Sequence, residues 1–143
     1  MALMMDKTAL TAFLQSEFPQ VADDFAVETV EEGAMTLRLK VAERHLRPGG
    51  TVSGPTMFGL ADVAVYLAIL AMIGPVALAV TTNCSIDFMR KPAAGRDLLA
   101  RARILKLGRS LAVGEVHLVS EGAEEAVVAR AGLTYAIPPK SMG

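Results

Sequence analysis

The sequence predicts an α+β fold in which a curved antiparallel sheet wraps around one long central helix, with an extra helix at the N-terminus. Residues 55–73 form a run that is apolar on nearly every side, as expected for a helix buried on most of its surface. The segments that flank this run alternate apolar and polar residues, which is the pattern of half-buried strands. Such a helix needs cover and the strands need a filling, so one sheet around one helix is the most economical arrangement.

Length and composition limit the possible organisation and partners. With 143 residues the chain is long enough for one domain and too short for two ordinary ones. We expect a single domain over residues 1–143, with an N-terminal helix in 1–20 and the core in 25–138. The formal net charge of -1 argues against a nucleic-acid partner. A single cysteine, Cys84, excludes an internal disulfide and suits the cytoplasm, and neither histidine has a metal-ligand spacing to it, so no metal is expected.

The N-terminal part predicts a helix followed by a hairpin. Asp6 is positioned to cap the helix, and Pro19 is expected to end it. Residues 25–32 form a weaker strand that finishes at a Glu32-Gly33 turn signal. Residues 35–41 then alternate as the second strand of the hairpin.

The central helix is expected to begin at Pro55, because proline suits the first helical position and Ser53 or Gly54 suits the cap before it. Gly74-Pro75 ends the helix. The run is apolar enough to raise the question of a membrane span. We reject a span because Asp62 lies inside it, where a charge is costly, and because the strands need a core helix.

Four further strands are predicted after the helix, over residues 78–89, 97–107, 111–119 and 126–137. The first alternates regularly, which places Thr81 on the same face as Asn83 and Ser85. The second slips in phase near Ile104, as a β-bulge would cause. A sheet of this kind leaves edges, and an unprotected edge invites pairing with a second subunit.

Asp62 and the glycine-rich turn before the helix form the candidate site. Asp62 is the one charged residue in its run, and a buried carboxylate is expensive unless it is paired or useful. The turn, residues 47–54, opens onto the helix N-terminus, where the backbone N–H of Gly54 and the helix dipole would stabilise an oxyanion. With Asp62 as general base or nucleophile, these are the parts of an acyl-transfer or acyl-hydrolysis site. The alternative for Asp62 is a carboxylate satisfied by hydrogen bonds inside a dimer core.

Two hydroxyl residues near this site have a functional and a structural interpretation. Ser53 either hydrogen-bonds substrate or water or simply caps the helix. Thr81 either orients a water near Asp62 or is an ordinary polar strand residue. The sequence leaves both pairs of alternatives open.

The spacing of Asp62 and Gly54 has a consequence for assembly. Asp62 follows Gly54 by eight residues, which in a helix places it about 12 Å further along the axis. That is too far for both groups of one chain to touch the same acyl carbonyl. Either the two residues serve different purposes, or a second subunit supplies one of them, which predicts a two-fold dimer with shared sites.

The helix entrance carries a family resemblance. From residue 47 the chain reads Arg-Pro-Gly-Gly-Thr-Val-Ser-Gly-Pro, followed by four residues and then Leu-Ala-Asp, which ends at Asp62. This resembles the hotdog-fold thioesterases of the phenylacetate-pathway (PaaI-like) type, whose pattern is Asn-x-x-Gly-x-x-His-Gly-Gly, four residues, and Leu-Ala-Asp. Residues 79–81, 86–92 and 107–109 also resemble segments of that family, and the resemblance covers residues 27–137.

Four residues match the family pattern, namely Gly50, Gly54, Asp62 and Thr81. Three depart from it, since Arg47, Ser53 and Pro55 stand where the family has Asn, His and Gly. The resemblance implies a hotdog fold and hydrolysis of an acyl-CoA thioester to free acid and coenzyme A without a cofactor. It also implies a homodimer with the site across the interface, and such dimers pair further into dimers of dimers.

Basic residues supply candidate contacts for coenzyme A, which carries phosphates. Arg90, Lys91 and Arg109 fall at turns where they can meet such groups, and Gly50 belongs to the matching turn. Arg47 would place a cation near the site, to bind an acidic acyl group or to pair with Asp62.

Two other functions remain open at this point. One is a non-catalytic hotdog module that binds acyl-CoA or an acyl carrier. The other is a hotdog dehydratase or hydratase, which is disfavoured because that chemistry commonly uses a His beside the acid and Ser53 stands at the His position.

Overall fold

A computed structural model describes residues 2–139, so the ends of the expected domain, Met1 and residues 140–143, lie outside the described residues. The elements, in chain order, are α1 (Lys7–Glu17), α2 (Pro19–Ala22), β1 (Phe25–Glu31), β2 (Ala34–Leu39), a short 3-10 helix (Glu43–His45), α3 (Gly54–Ile73), β3 (Val80–Phe88), β4 (Leu98–Leu107), β5 (Leu111–Ser120) and β6 (Ala123–Ala136). The predicted order of an N-terminal helix, two strands, a central helix and four strands is confirmed, with the short helix α2 and the 3-10 helix as additional elements.

The six strands form one antiparallel sheet in the order β1-β2-β4-β5-β6-β3. The central helix α3 packs against β2, β3, β4, β5 and β6, so the sheet surrounds it as predicted. The strands β1 and β3 lie at the two edges of the sheet. The edge strand β3 therefore keeps one row of backbone groups that no strand in the described part of the chain pairs with.

The helix α3 is the core of the fold. Its apolar residues are buried on most sides, and Leu60, Val65 and Ile69 are among those with no exposed surface. By length and hydropathy Gly54–Ile73 could cross a membrane, but 67% of its most apolar stretch is buried inside the fold. That degree of burial is what the core helix of a sheet-covered domain shows.

The N-terminal helix begins as predicted, because the Asp6 side chain accepts a hydrogen bond from the N–H of Ala9. Pro19 does not simply end the helical segment. The chain changes direction at Phe18, and Pro19 then occupies the first turn of the short helix α2, where its missing N–H costs nothing.

Two register shifts lie in β3 and β4, and one of them was predicted. In β4 the shift lies between Ile104 and Lys106, at the predicted position. In β3 the shift lies between Thr81 and Asn83, and it makes the predicted face of Thr81 wrong. The bulge turns Thr81 to the inner side, opposite the buried Tyr135, instead of leaving it with Asn83 and Ser85.

Gly114 on β5 lets α3 approach the sheet closely, and this leads to a stability prediction. A Cβ at this position would lie 2.8 Å from Cγ1 of Val65 and 3.3 Å from the backbone oxygen of Arg103. We expect Gly114→Ala to lower the free energy of unfolding by about 1–3 kcal/mol, because the helix or the strand must shift. Urea denaturation measures this value. Gly132→Ala is the matched control, since Gly132 lies on the neighbouring strand with no atom within 4 Å of its Cβ position. Equal losses of unfolding free energy in the two variants would contradict the conclusion that Gly114 is needed for the close approach of α3 to the sheet.

Candidate active site

The start of α3 leaves one backbone donor open. The Ser53 hydroxyl accepts from the N–H of Thr56 at 3.3 Å and donates to its Oγ1 at 2.9 Å. The N–H of Met57 donates to the Ser53 carbonyl at 3.0 Å, and Pro55 has no N–H. Among the described residues, the N–H of Gly54 has no protein acceptor. The first turn of α3 therefore presents a single free N–H at the positive end of the helix dipole.

Ser53 acts in this structure as the helix N-cap. Both hydrogen bonds of its hydroxyl go to Thr56, which lies in the same turn. Its own backbone N–H donates to the carbonyl of His45 at 2.9 Å, which ties the helix start to the preceding loop. These contacts match the structural interpretation of Ser53.

Asp62 lies two turns further along α3, where two hydroxyl groups hold its carboxylate. Thr81 on β3 donates to Oδ1 at 2.6 Å, and Tyr135 on β6 donates to the same oxygen at 2.5 Å. The Tyr135 oxygen also lies 2.9 Å from the backbone oxygen of Asp62. No described residue hydrogen-bonds Oδ2 of Asp62. The carboxylate is thus oriented through one oxygen and keeps the other for a ligand or a water.

Tyr135 is a candidate site residue that the sequence reasoning missed, since it lines the same cavity as Asp62 and hydrogen-bonds its carboxylate. Burial, together with the hydrogen bond to Asp62, raises the pKa of its hydroxyl far above the usual range, so this hydroxyl remains a donor. Its position on the inner face of β6 carried a usable signal, because a buried tyrosine normally has a partner for its hydroxyl. The partner could not be named without the register that sets Tyr135 opposite Thr81.

A cavity of about 380 Å³ opens beside Asp62, and we call it the Asp62 cavity. Its walls come from the N-terminal helices, from α3, from the segment before β3, from the start of β3 and from β6. The lining residues are Leu14, Phe18, Val21, Asp62, Val63, Tyr66, Ala77, Ala79, Val80, Thr81 and Tyr135. Most of these side chains are apolar. Asp62 therefore sits at the wall of a mainly apolar chamber.

A second cavity of about 540 Å³ adjoins the Gly54 turn, and we call it the Gly54 cavity. Its walls come from residues 47–57 of the turn and helix and from residues 88–92 at the end of β3 and just after it. The lining residues are Arg47, Pro48, Gly49, Thr51, Val52, Gly54, Met57, Phe88, Met89, Arg90, Lys91 and Pro92. Three of these residues are cationic, so this cavity suits an anionic ligand.

The predicted site residues are thus divided between two places. Asp62 and Thr81 line one cavity, whereas Gly54, Arg47, Arg90 and Lys91 line the other. Asp62 and Gly54 of one chain do not meet, as their helical spacing predicted. Arg47 and Asp62 of one chain likewise form no ion pair within residues 2–139.

Two predicted binding residues lie outside both cavities. Gly50 has a φ of 84°, a conformation that glycine favours, and its N–H donates to the carbonyl of Arg47 at 3.0 Å, so it shapes the turn. Arg109 lies in the turn between β4 and β5, beside the end of the sheet where Leu111 and Val80 pair with Ala136. That end is opposite to the one that carries Arg90 and Lys91.

No group of three or more histidine, cysteine, aspartate or glutamate side chains in the described part of the chain is placed to hold a metal ion. The polar groups that the two cavities do offer are the carboxylate with its two hydroxyl partners, the backbone N–H and the three cations described above.

Comparison with known proteins identifies the class to which this fold and site belong. Residues 49–127 match the family model of the Thioesterase superfamily. The chain belongs to this superfamily, and it has the hotdog fold of the PaaI-like thioesterases. Membership supports hydrolysis of thioesters as the general class of activity.

Three solved structures illustrate the similarity. A "putative thioesterase" of Silicibacter sp. TM1040 is 60% identical, with a TM-score of 0.91 and coverage of 97% of this chain and 96% of its own. The phenylacetic acid degradation protein PaaI of Thermus thermophilus, in a mutant form, is 31% identical with a TM-score of 0.72, covering 84% of this chain and 99% of its own. A protein of Streptococcus mutans UA159 bound to acetyl CoA is 26% identical with a TM-score of 0.70, covering 81% of this chain and 90% of its own.

Proposed function

We propose that this protein hydrolyses acyl-CoA thioesters to the free acid and coenzyme A, in the cytoplasm and in sites shared by two copies of the chain. One observation carries the proposal. The chain presents the two halves of an acyl-hydrolysis site, a hydroxyl-held carboxylate and an open helix N–H, in two separate cavities that a single strand connects.

That connecting strand is the edge strand β3. Its start, with Val80 and Thr81, borders the Asp62 cavity, and its end, with Phe88, borders the Gly54 cavity. Val80 and Phe88 are 55% and 52% exposed, although both are apolar. Antiparallel pairing of β3 with β3 of a second copy would cover these side chains and satisfy the free edge.

Such pairing would also complete the site. In an antiparallel pair, the start of one strand lies beside the end of the other. The Asp62 cavity of one chain would then adjoin the Gly54 cavity of its partner, at both ends of the paired strands. This supports a homodimer with two shared sites, and the same dimers could associate further into a dimer of dimers.

The chemistry follows from the groups brought together. The thioester carbonyl oxygen would accept the N–H of Gly54, and the helix dipole would stabilise the negative charge that develops there. Asp62 of the other chain would take a proton from water as the water oxygen bonds to the carbonyl carbon. The carbon–sulfur bond then breaks, and the proton passes to the departing sulfur, which gives coenzyme A and the acid.

The Gly54 cavity is the proposed place for the coenzyme A portion. Arg47 and Lys91 line this cavity, and Arg90 is held in place by donating through Nε to the carbonyl of Val127 at 2.9 Å. Guanidinium and ammonium groups are the usual partners of phosphates. The acetyl CoA bound by the related Streptococcus mutans protein supports this choice of ligand.

Release of free thiol from a panel of acyl-CoA substrates tests the proposed function. We expect the purified chain to release coenzyme A from at least one acyl-CoA at a rate well above the spontaneous rate. The panel should include saturated straight-chain and aryl acyl-CoAs, because it has to cover aliphatic and aromatic groups. If the chain binds coenzyme A tightly and hydrolyses nothing in the panel, the binding-module alternative is correct instead. Conversion of enoyl-CoA to the hydrated product without thiol release would favour the hydratase alternative.

A further inference from the structure

We infer that the two N-terminal helices close the far end of the acyl pocket, so that Phe18 and Val21 determine the length of the acyl group and restrict it to unsubstituted hydrocarbon chains. This inference rests on the proposed function, because it assigns the Asp62 cavity to the acyl group. It concerns a part of the chain, residues 7–22, that lies outside the resemblance and outside the family-model match.

Phe18 contacts α3 about one turn beyond Asp62, which places its ring at the end of the Asp62 cavity far from Gly54. Tyr66 follows Asp62 by one helical turn, about 6 Å further from Gly54 along the axis. The ring of Phe18 meets the ring of Tyr66 edge-on, with centroids 5.8 Å apart. An acyl group whose carbonyl carbon lies at Asp62 therefore reaches Phe18 with its tail.

The polar groups in the wall are almost all satisfied by protein partners. The hydroxyl of Tyr66 donates to the carbonyl of Ala77 at 3.0 Å, and the hydroxyls of Thr81 and Tyr135 donate to Asp62. Burial raises the pKa of Tyr66 to about 12, so its hydroxyl stays neutral at ordinary pH. Only the Asp62 end of the cavity offers an unpaired polar side-chain atom within the described residues.

This distribution of polarity selects the chemistry of the acyl group. A hydrocarbon tail meets Leu14, Phe18 and Val21 without losing any hydrogen bond. A hydroxyl or carboxyl group at the end of the tail would be buried without a partner, which is costly. The cavity volume of about 380 Å³ is near the low end of ligand pockets and leaves no room for coenzyme A beside the tail.

Phe18 is also suited to act as an adjustable wall. It is half-buried and joins α1 to α2, where its backbone N–H donates to the carbonyl of Leu14 at 2.9 Å. Shortening its side chain enlarges the cavity from outside the main core. Phe13 on the preceding helix contacts both Phe18 and Tyr66 but does not line the cavity. Phe13 therefore provides a matched control for the loss of an aromatic ring.

The test measures kcat/KM for straight-chain acyl-CoAs from butyryl to palmitoyl. It also measures equilibrium binding of the same series in the Asp62→Asn background, with and without each pocket variant, so that binding is seen without hydrolysis. We expect Phe18→Ala to raise the ratio of long-chain to short-chain kcat/KM by about tenfold, and Val21→Phe to lower it similarly. Phe13→Leu should leave the ratio unchanged. An acyl-CoA with a carboxyl group at the end of its tail should be rejected relative to the hydrocarbon of equal length.

The two measurements separate the failure of this inference from the failure of the proposed function. If nothing is hydrolysed but the chain-length profile of binding shifts with Phe18→Ala and Val21→Phe, the pocket assignment stands and the hydrolase proposal fails. If hydrolysis occurs and neither variant shifts the profile more than Phe13→Leu does, the N-terminal helices do not bound the pocket and the inference is wrong. Absence of any chain-length preference in both measurements would overturn it as well.

Discussion

Asp62→Asn should lower kcat for acyl-CoA hydrolysis by about a thousandfold, while KM and the melting temperature change little. The amide occupies the same space and can still accept from Thr81 and Tyr135 through its oxygen, so the fold should survive. It cannot remove a proton from water or attack the carbonyl. Steady-state thiol release measures kcat and KM. Glu31→Gln, which changes an exposed carboxylate on β1 at the opposite edge of the sheet, is the control and should retain full activity. Full activity of Asp62→Asn would show that Asp62 is not the catalytic carboxylate.

The hydroxyl groups that hold Asp62 give a graded version of the same experiment. Tyr135→Phe removes one donor and leaves the carboxylate in place, so the loss in kcat should be smaller than that of Asp62→Asn. Tyr66→Phe is the matched control for the loss of a tyrosine hydroxyl. The rings of Tyr66 and Tyr135 stack with centroids 5.8 Å apart, but the Tyr66 hydroxyl donates to the carbonyl of Ala77 and not to Asp62. A selective loss in Tyr135→Phe indicates that the donor positions Asp62, whereas equal losses would indicate a general packing effect.

Local signals in the sequence were enough to predict the helix that carries the candidate site. Ser53 has a capping side chain, Pro55 suits the first turn and Gly74 ends the run, so the predicted boundaries differ from Gly54–Ile73 by a single residue. The separation of Asp62 from Gly54 was also predictable, because the rise of a helix is constant. These properties depend on residues close together in the chain.

The missed features depend on contacts between distant segments. Thr81 turned to the inner face because the bulge in β3 forms against β6, and regular alternation could not reveal that shift. Tyr135 meets Asp62 across 73 positions of the chain, so its role needed the strand register. Likewise, nothing local indicated that Phe18 would form a wall near Asp62. Tertiary pairing decided each of these outcomes.

The cationic residues also show the difference between what local sequence predicts and what contacts between distant segments decide. Arg47, Arg90 and Lys91 converge on the Gly54 cavity although about forty positions separate the first from the other two in the chain. Arg109 fits the same turn pattern in the sequence but lies at the opposite end of the sheet. The turn position alone therefore did not identify which basic residues share a cavity. In the proposed dimer, however, that opposite end adjoins the partner's Gly54 cavity, which keeps Arg109 a candidate contact.

The assignment of Asp62 and Gly54 to different chains predicts that two inactive variants complement each other. Gly54→Pro removes the N–H at a helix position where proline is tolerated, and Ser53 already has the extended backbone that a residue before proline adopts. Each variant alone should be nearly inactive. A mixed dimer of Asp62→Asn and Gly54→Pro, co-expressed with two tags and purified through both, contains one site with Asp62 and Gly54 intact. Its activity should be about half that of wild type, since one of two sites works.

The reciprocal mixture distinguishes a shared site from a site within one chain. A chain that carries both Asp62→Asn and Gly54→Pro is paired with a wild-type chain through the same two tags. If each site takes Asp62 from one chain and Gly54 from the other, both sites of this dimer contain one defect, and the dimer should be inactive. If each chain held a complete site, the wild-type chain would instead supply about half of the normal activity. Activity in this second mixture, with none in the mixture of the two single variants, would therefore contradict the shared site. We expect the reverse, because Asp62 and Gly54 lie about 12 Å apart on one helix and must come from different chains to act on one substrate.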